Sequence, residues 1–167
     1  MYRQARSPTI KCPRRSPNPP RLAGAVGAYL PARILIVDDH FAARTTIRSL
    51  LDWHSFQVCG DAKDGQEAID KVIELKPDIV LLDINMPIMD GLTAAREIRR
   101  ISPATKIVFL TIQDAPAVAE RTRLWAHGFV PKSAAGTELI PTLNRLVGVV
   151  SGNPRSTPSK SPRIRTN

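Results

Sequence analysis

Several polar side chains of this 167-residue sequence stand at the ends of short apolar segments. They are, in chain order, Asp38 and Asp39 after ILIV, Asp83 at the end of DIVLLD, Thr111 at the end of KIVFLT, and Lys132 after GFVP. If these segments are parallel strands of one sheet, their carboxyl ends open on the same edge. The sequence therefore predicts that these side chains surround one pocket.

Three carboxylates in one pocket repel each other by about 4 kcal/mol per pair at ~4 Å and an effective dielectric near 20. Lys132 supplies only one positive charge, so a divalent cation is expected, and Mg²⁺ suits carboxylates that share it with waters and a phosphoryl group. Thr111 would donate a hydrogen bond to one phosphoryl oxygen while Lys132 pairs with another. One carboxylate must attack phosphorus. Asp83 is favoured, because Asp38 and Asp39 form a pair suited to the metal.

Each of these residues also has a purely structural interpretation. Asp38 or Asp39 would more commonly cap the following helix. Asp83 would begin a turn, Thr111 would be another cap, and Lys132 would be a solvated surface lysine. The shared site is favoured because all five would otherwise have to fit one phosphoryl group by accident.

The segments that must position this pocket alternate between strand and helix periodicity. Strands are predicted at 34–37, 56–62, 78–83, 106–111 and 128–131, and helices at 42–52, from the N-cap Asp64 onward, at 91–101, at about 116–126 and at 137–147. Pro141 is expected in about the first turn of the last helix. Near-continuous apolar strands separated by helices predict an α/β fold, a doubly wound flavodoxin-like parallel sheet in the order 2-1-3-4-5.

The net charge of +9 comes entirely from the two ends of the chain. Residues 1–33 carry seven basic residues and 148–167 carry four, without acids, so the middle has a net charge of −2. Both ends are rich in proline, which predicts disordered basic tails at 1–32 and 149–167 around one domain at 33–148. No apolar run is long enough to span a membrane, and a cytoplasmic protein is expected.

The motifs ILIVDDH, DIVLLDINMPIMDGL, KIVFLT and GFVPKS resemble those of the receiver domain of two-component response regulators. The resemblance covers roughly residues 33–147. It implies that Asp83 is phosphorylated by a histidine kinase. It also implies that Asp39 and Asp83 ligate Mg²⁺ directly, with the backbone carbonyl of Asn85 as a third ligand and Asp38 acting through water.

The same resemblance implies a switch in which Thr111 turns toward the phosphoryl group and Phe129, at the aromatic switch position, swings inward. Without the Thr111 match, Phe129 would be an ordinary core aromatic. The expected output face is formed by the 116–126 helix, the fifth strand and the last helix. Phosphorylation and dephosphorylation of the aspartate would be catalysed by the domain itself, which is a signalling switch rather than a metabolic enzyme.

Two features depart from the commonest receiver pattern. Ser133 after Lys132, together with His40, resembles the branch that usually adds a C-terminal LuxR-type helix-turn-helix, but residues 148–167 are too short for that domain. Ile112 is bulkier than the small residue common after the switch threonine, so altered dephosphorylation is expected.

His127, before the fifth strand, is interpreted as a cation at a helix C-terminus.

The expected partners are a sensor histidine kinase or phosphotransfer protein, and a second copy of the chain or another protein as target. A competing hypothesis makes the chain a regulator whose basic tails bind nucleic acid, which could occur only through those tails. A phosphatase of the haloacid-dehalogenase type is a third hypothesis. It requires a DxDxT/V-type motif, and residues 38–42, Asp-Asp-His-Phe-Ala, do not fit it.

Overall fold

A computed structural model of the chain describes residues 31–54, 56–112 and 125–148. Its elements are β1 (Ala32–Val37), α1 (Phe41–Asp52), β2 (Phe56–Ala62), α2 (Gly65–Leu75), β3 (Ile79–Asp83), α3 (Gly91–Ile101), β4 (Lys106–Thr111), β5 (Gly128–Pro131), one 3-10 turn (Lys132–Ala134) and α4 (Ala135–Val147). The predicted basic tails lie outside the described residues, apart from positions 31 and 32. The helix predicted at about 116–126 also lies outside them, except for its last two positions, which are not helical.

The strands form one five-stranded sheet in the order β2-β1-β3-β4-β5, and every neighbouring pair is parallel. The predicted doubly wound order is therefore confirmed. The winding direction reverses at β1 and β3, and the carboxyl ends of these two strands carry Asp38 and Asp83. Parallel sheets of this kind bind ligands at that crevice.

Alternate residues of each central strand point to opposite faces of the sheet, and each face has its own core. Leu35, Val80 and Phe109 belong to the core that α2 and α3 cover. The core that α1 and α4 cover contains the strand residues Ile34, Ile79, Leu81 and Val108 and the helix residues Ile47, Leu51, Leu139 and Leu143.

Among the helices of the described ranges, none is long and apolar enough to cross a membrane.

The last helix begins earlier than its sequence pattern indicates. The helix predicted at 137–147 is present and ends as predicted, but α4 starts two residues earlier, at Ala135. The placement of Pro141 in about its first turn was therefore wrong, because Pro141 is the seventh residue of α4. A proline there removes one backbone hydrogen bond and costs about 3 kcal/mol. The buried contacts of Leu139 and Leu143 with the sheet outweigh that cost.

His127 extends the pairing of β4 with β5 through its own side chain. Its backbone N–H donates to the Ile107 carbonyl at 2.7 Å, and its Nδ1 accepts from the Ile107 N–H at 3.1 Å. Burial and the positive charges of Arg99 and Lys106 hold the pKa of His127 below its usual value. The interpretation of His127 as a cation was wrong, because a protonated Nδ1 cannot accept that hydrogen bond.

We expect the neutral form of His127 to make folding weakly pH-dependent. Because the pKa is lower in the folded chain than the usual histidine value of 6.5, the contribution is complete above pH 6.5 and is lost as the pH falls below it. Thermal unfolding of wild type and His127→Gln across this range should show a flatter acid limb in the variant. Identical pH profiles would contradict the assignment.

Candidate functional site

Asp38, Asp83 and Lys132 meet at the carboxyl edge of the sheet, as the sequence predicts. Lys132 Nζ lies 2.5 Å from Asp38 Oδ2 and 2.8 Å from Asp83 Oδ2. The side chains of Asp38 and Asp83 are only 1% and 5% exposed. Two buried carboxylates therefore share one ammonium group, although they stand 45 residues apart from each other in the chain.

The strand ends explain how these side chains come together. Asp83 is the last residue of β3, and its Oδ1 accepts a hydrogen bond from the Ile84 N–H at 2.8 Å. Both Asp83 oxygens are thus fixed, one by the following peptide group and the other by Lys132. Lys132 begins the 3-10 turn directly after β5. The carboxylate plane of Asp83 is set by the backbone before any ligand arrives.

Lys132 is a permanent cation at neutral pH. Burial alone would lower the pKa of its ammonium group, but the hydrogen bonds and negative charges of Asp38 and Asp83 outweigh burial and raise this pKa above its usual value. The ammonium therefore offsets one of the negative charges of the pocket. It also provides a donor to any anion that binds there.

Asp39 lies at the mouth of the pocket rather than in its interior. Its Oδ1 is 2.6 Å from His40 Nδ1, and both side chains are more exposed than Asp38. Asp38 Oδ1 accepts from the His40 N–H at 2.9 Å, while the N-cap position of α1, His40, makes no side-chain cap. Neither acid therefore occupies the N-cap position of α1. Asp38 makes only a local turn contact, with the His40 N–H.

The acidic residues fit a hard divalent cation. Oxygens of Asp38 and Asp39 and a His40 ring nitrogen lie within 4.8 Å of one another. Asp38 Oδ2 is buried, and the contact it makes is with the ammonium group of Lys132 at 2.5 Å. A buried carboxylate oxygen with a spare lone pair beside a second carboxylate is the donor chemistry that Mg²⁺ prefers.

The remaining predicted residues are located by their burial and by the register of the strands. Asn85 is exposed in the loop after β3. Thr111 is fully buried at the end of β4, one position beyond Leu110, which is aligned with Asp83 across the sheet. Phe129 is half-buried on β5 beside Phe109. Register alone brings Thr111 and Phe129 to the same region of the sheet, and their roles stay predictions.

Gly91 lets the loop after β3 fold back onto the end of that strand. Its N–H donates to the Ile84 carbonyl at 2.9 Å, and a Cβ at this position would lie 1.9 Å from the Asp83 carbonyl oxygen. Asp90 caps α3 by accepting from the Thr93 N–H at 2.8 Å. The Asp-Gly pair therefore both starts α3 and allows its first turn to approach Asp83.

Replacing Gly91 with alanine should destabilise the fold by at least about 2 kcal/mol, because the new methyl group overlaps backbone that cannot retreat without moving Asp83. Gly136→Ala is a matched control, since a Cβ there meets nothing within 4 Å. The control should be neutral or more stable by roughly 0.5–1 kcal/mol. Chemical denaturation measures both. Equal stabilities for the two variants would contradict the packing at Gly91.

Three large apolar side chains are exposed just beyond the carboxyl ends of β1, β3 and β4. Phe41 follows β1, Ile88 follows β3 and Ile112 follows β4. Ile88 is 84% exposed and has a φ of 68°, a left-handed conformation that is unfavourable for a β-branched residue. Exposed apolar side chains thus follow the same strand ends that carry the acids.

Sequence reasoning missed Arg44, whose guanidinium reaches the main chain of the acidic pair. Its Nη1 donates to the Asp38 carbonyl at 2.6 Å. Its position in the sequence could have indicated this role. Arg44 lies in the first turn of α1, where the helix dipole disfavours a cation unless another contact holds it.

A sequence profile described as the response regulator receiver domain matches residues 34–144. The chemotaxis protein CheY of Thermotoga maritima is 36% identical over 115 residues, which are 68% of this chain and 96% of CheY. Protein-glutamate methylesterase/protein-glutamine glutaminase 1 of Methanosarcina mazei is 40% identical over 130 residues, which are 76% of this chain. The chain spans only 36% of that relative's length.

A solved structure gives the same result for the fold. A two-component response regulator of the LuxR family from Aurantimonas sp. SI85-9A1 superposes with a TM-score of 0.66 at 33% identity. The match covers 71% of this chain and 86% of that one. The resemblance to the LuxR-type branch is thereby confirmed for the receiver region.

Proposed function

Because the chain belongs to the response regulator receiver domain family and acts as a phosphorelay switch, we propose that Asp83 is its phosphoryl acceptor. The observation that carries the proposal is the ammonium of Lys132 held between Asp83 and Asp38. That arrangement places a nucleophilic carboxylate, a fixed cation and a buried second acid within one crevice. Receivers interact with histidine kinases or phosphotransfer proteins, so the donor is a phosphohistidine on such a partner.

In the proposed reaction an Asp83 carboxylate oxygen attacks phosphorus. A phosphorus–oxygen bond forms, the phosphorus–nitrogen bond of the donor imidazole breaks, and the imidazole leaves with the electron pair. Lys132 donates to Asp83 Oδ2 and then to a phosphoryl oxygen, so it stabilises the negative charge that accumulates in the crevice. The nucleophile and the cation both belong to this domain, which is why we propose that it catalyses its own phosphorylation and dephosphorylation.

We assign the cation of this site to Mg²⁺, with Asp39, Asp83 and the carbonyl of Asn85 as its ligands and Asp38 acting through water. When bound, Mg²⁺ would neutralise the acids and the phosphoryl oxygens together. Asp38 supports the assignment by its burial, since 1% exposure leaves its charge poorly solvated. His40, hydrogen-bonded to Asp39, keeps that carboxylate at the mouth of the site.

The proposed response to phosphorylation is a movement of Thr111 toward the phosphoryl group, with Phe129 following inward. Phe129, Thr142 and Leu146 line a groove of about 110 Å³ between β5 and α4. The groove supports the proposal, because a half-buried aromatic beside free space has room to change position. We propose β5, α4 and the helix predicted at 116–126 as the output face, for a second copy of the chain or another protein.

The partner that carries the phosphohistidine must approach the carboxyl edge of the sheet, where Phe41, Ile88 and Ile112 are exposed. These apolar side chains suit an apolar helix face of the donor. Ile112 is largely exposed, so its expected effect on dephosphorylation would come from limiting access to the pocket. The expectation stays a prediction.

Incubation with acetyl phosphate tests the proposal directly. With Mg²⁺ present, the full chain should gain the mass of one phosphoryl group, stable in acid and released in base, as expected for an acyl phosphate. Removal of Mg²⁺ with a chelator should prevent the gain, because three carboxylates would repel the incoming anion. A mass gain that is independent of Mg²⁺, or an adduct stable in base, would overturn the proposal.

A further inference from the structure

Arg44 connects β2, the main chain of the acidic pair and the start of α1. Its Nη1 donates to the Asp38 carbonyl at 2.6 Å and to the Asp39 carbonyl at 3.3 Å. Its Nε lies 3.2 Å from Asp61 Oδ2. The side chain is only 14% exposed, and its Cζ lies 5.6 Å from the centroid of the Phe41 ring. One guanidinium thus contacts two successive carbonyls and a carboxylate.

The two carbonyls belong to Asp38, whose side chain is buried in the site, and to Asp39, whose side chain lies at its mouth. In the preceding peptide group, the Asp38 N–H donates to the Ala62 carbonyl at 3.1 Å. The end of β1 is therefore held from one side by β2 and from the other by Arg44. Rotation of the peptides after Asp38 would turn the Asp39 carboxylate away from the pocket, and these bonds oppose that rotation.

Asp61 anchors the guanidinium from β2. Its Oδ1 lies 2.9 Å from Arg48 Nη2, so Asp61 is shared by two arginines of α1. Of these two arginines, Arg44 is the one that also reaches the carbonyls of the acidic pair. This difference between two neighbouring arginines separates a role at the site from a role in holding α1 against β2.

We propose that Arg44 is a positioning residue for the divalent-cation site, acting through the Asp38 and Asp39 main chain. The proposal deepens the proposed function and rests on it. The planar guanidinium has donors in a fixed fork and can bridge acceptors in different directions, which a lysine ammonium on a flexible stem does not reproduce. Arg44 also brings positive charge next to the acids, and this charge by itself would oppose cation binding.

Positioning and charge predict opposite effects on Mg²⁺ affinity. If Arg44 acts only through its charge, Arg44→Met should bind Mg²⁺ more tightly and Arg44→Lys should resemble wild type. If Arg44 positions the acids, both variants should bind Mg²⁺ more weakly. Loss of residues that orient metal ligands typically costs 10–100-fold in metal affinity, so about a tenfold loss is expected.

The test is calorimetric titration of the full chain with MgCl₂ alone, for wild type, Arg44→Met, Arg44→Lys and the control Arg48→Met. The control loses a contact with the same Asp61 and should keep the wild-type affinity. A second readout is the Mg²⁺ concentration at half-maximal labelling by acetyl phosphate. It should rise about tenfold in both Arg44 variants, while the maximal rate at saturating Mg²⁺ returns close to wild type.

Unchanged Mg²⁺ affinity in Arg44→Lys, or equal losses in Arg44→Met and Arg48→Met, would overturn the positioning role. If Arg44→Met does not fold, Asp61→Asn removes only the charge of the anchor and should show the same rise in half-saturating Mg²⁺, and an unchanged value would overturn the role. Failure of the wild-type chain to bind Mg²⁺ or to be labelled would instead refute the proposed function, and this inference with it.

Discussion

Replacing Asp83 with asparagine will abolish labelling by acetyl phosphate, a loss of at least about a thousandfold in rate. The amide of asparagine has nearly the shape of the carboxylate but is not a nucleophile for phosphorus. Its oxygen can still accept from the Ile84 N–H, and Lys132 keeps Asp38 as a partner. The fold should therefore persist while the chemistry stops. Intact-protein mass spectrometry with Mg²⁺ present measures the loss.

Asp90→Asn is the matched control for this experiment. Asp90 lies in the same loop, and its backbone hydrogen bond from Thr93 is the largest cause that lowers its pKa. Asparagine caps helices about as well as aspartate, so this variant should keep both its fold and its labelling. Persistent labelling of Asp83→Asn, or equal losses in the two variants, would show that another residue accepts the phosphoryl group.

Replacing Lys132 with alanine should slow labelling by about a hundredfold, because a fixed donor to the developing negative charge is lost. The same change leaves Asp38 and Asp83 buried without their shared cation, which should destabilise the Mg²⁺-free protein by on the order of 3 kcal/mol. Added Mg²⁺ should recover part of this stability, since it binds only the folded site. Chemical denaturation with and without Mg²⁺ measures the recovery.

Lys63→Ala is the control for Lys132, because Lys63 is an exposed lysine in the loop after β2, at the same edge of the sheet. It should change neither the stability nor the labelling appreciably. The double variant Asp83→Asn/Lys132→Ala should be less destabilised than Lys132→Ala alone, since one of the unpaired charges is gone. If the stability changes of Asp83→Asn and Lys132→Ala simply add in the double variant, the ionic arrangement of the site is contradicted. Equal effects of Lys132→Ala and Lys63→Ala on stability and labelling would contradict it as well.

The parts of the fold that follow from apolar periodicity were predictable from the sequence. The strands at 56–62, 106–111 and 128–131 and the helix at 91–101 have the predicted bounds. The convergence of Asp38, Asp83 and Lys132 was also predictable, because a parallel sheet brings all strand C-termini to one edge. Strand-end position is therefore enough to locate the central charges of the site.

Features that depend on side-chain geometry were not predictable in the same way. Pro141 was expected near the start of its helix because the apolar pattern begins at about 137, but the helix starts at Ala135 and the packing of Leu139 and Leu143 tolerates proline in its interior. The acceptor role of His127 Nδ1 depends on the alignment of β4 with the residue before β5. The reach of Arg44 to the acidic pair requires knowing how α1 lies on β2.

The most direct test of the account locates the phosphoryl group on the chain. Wild-type protein is labelled by acetyl phosphate with Mg²⁺, reduced with borohydride, digested and sequenced by tandem mass spectrometry. Borohydride converts an aspartyl phosphate into homoserine, so the account predicts homoserine at position 83 and intact aspartate at positions 38 and 39. Homoserine at either of those positions, or phosphate retained on a serine, threonine or histidine, would contradict it.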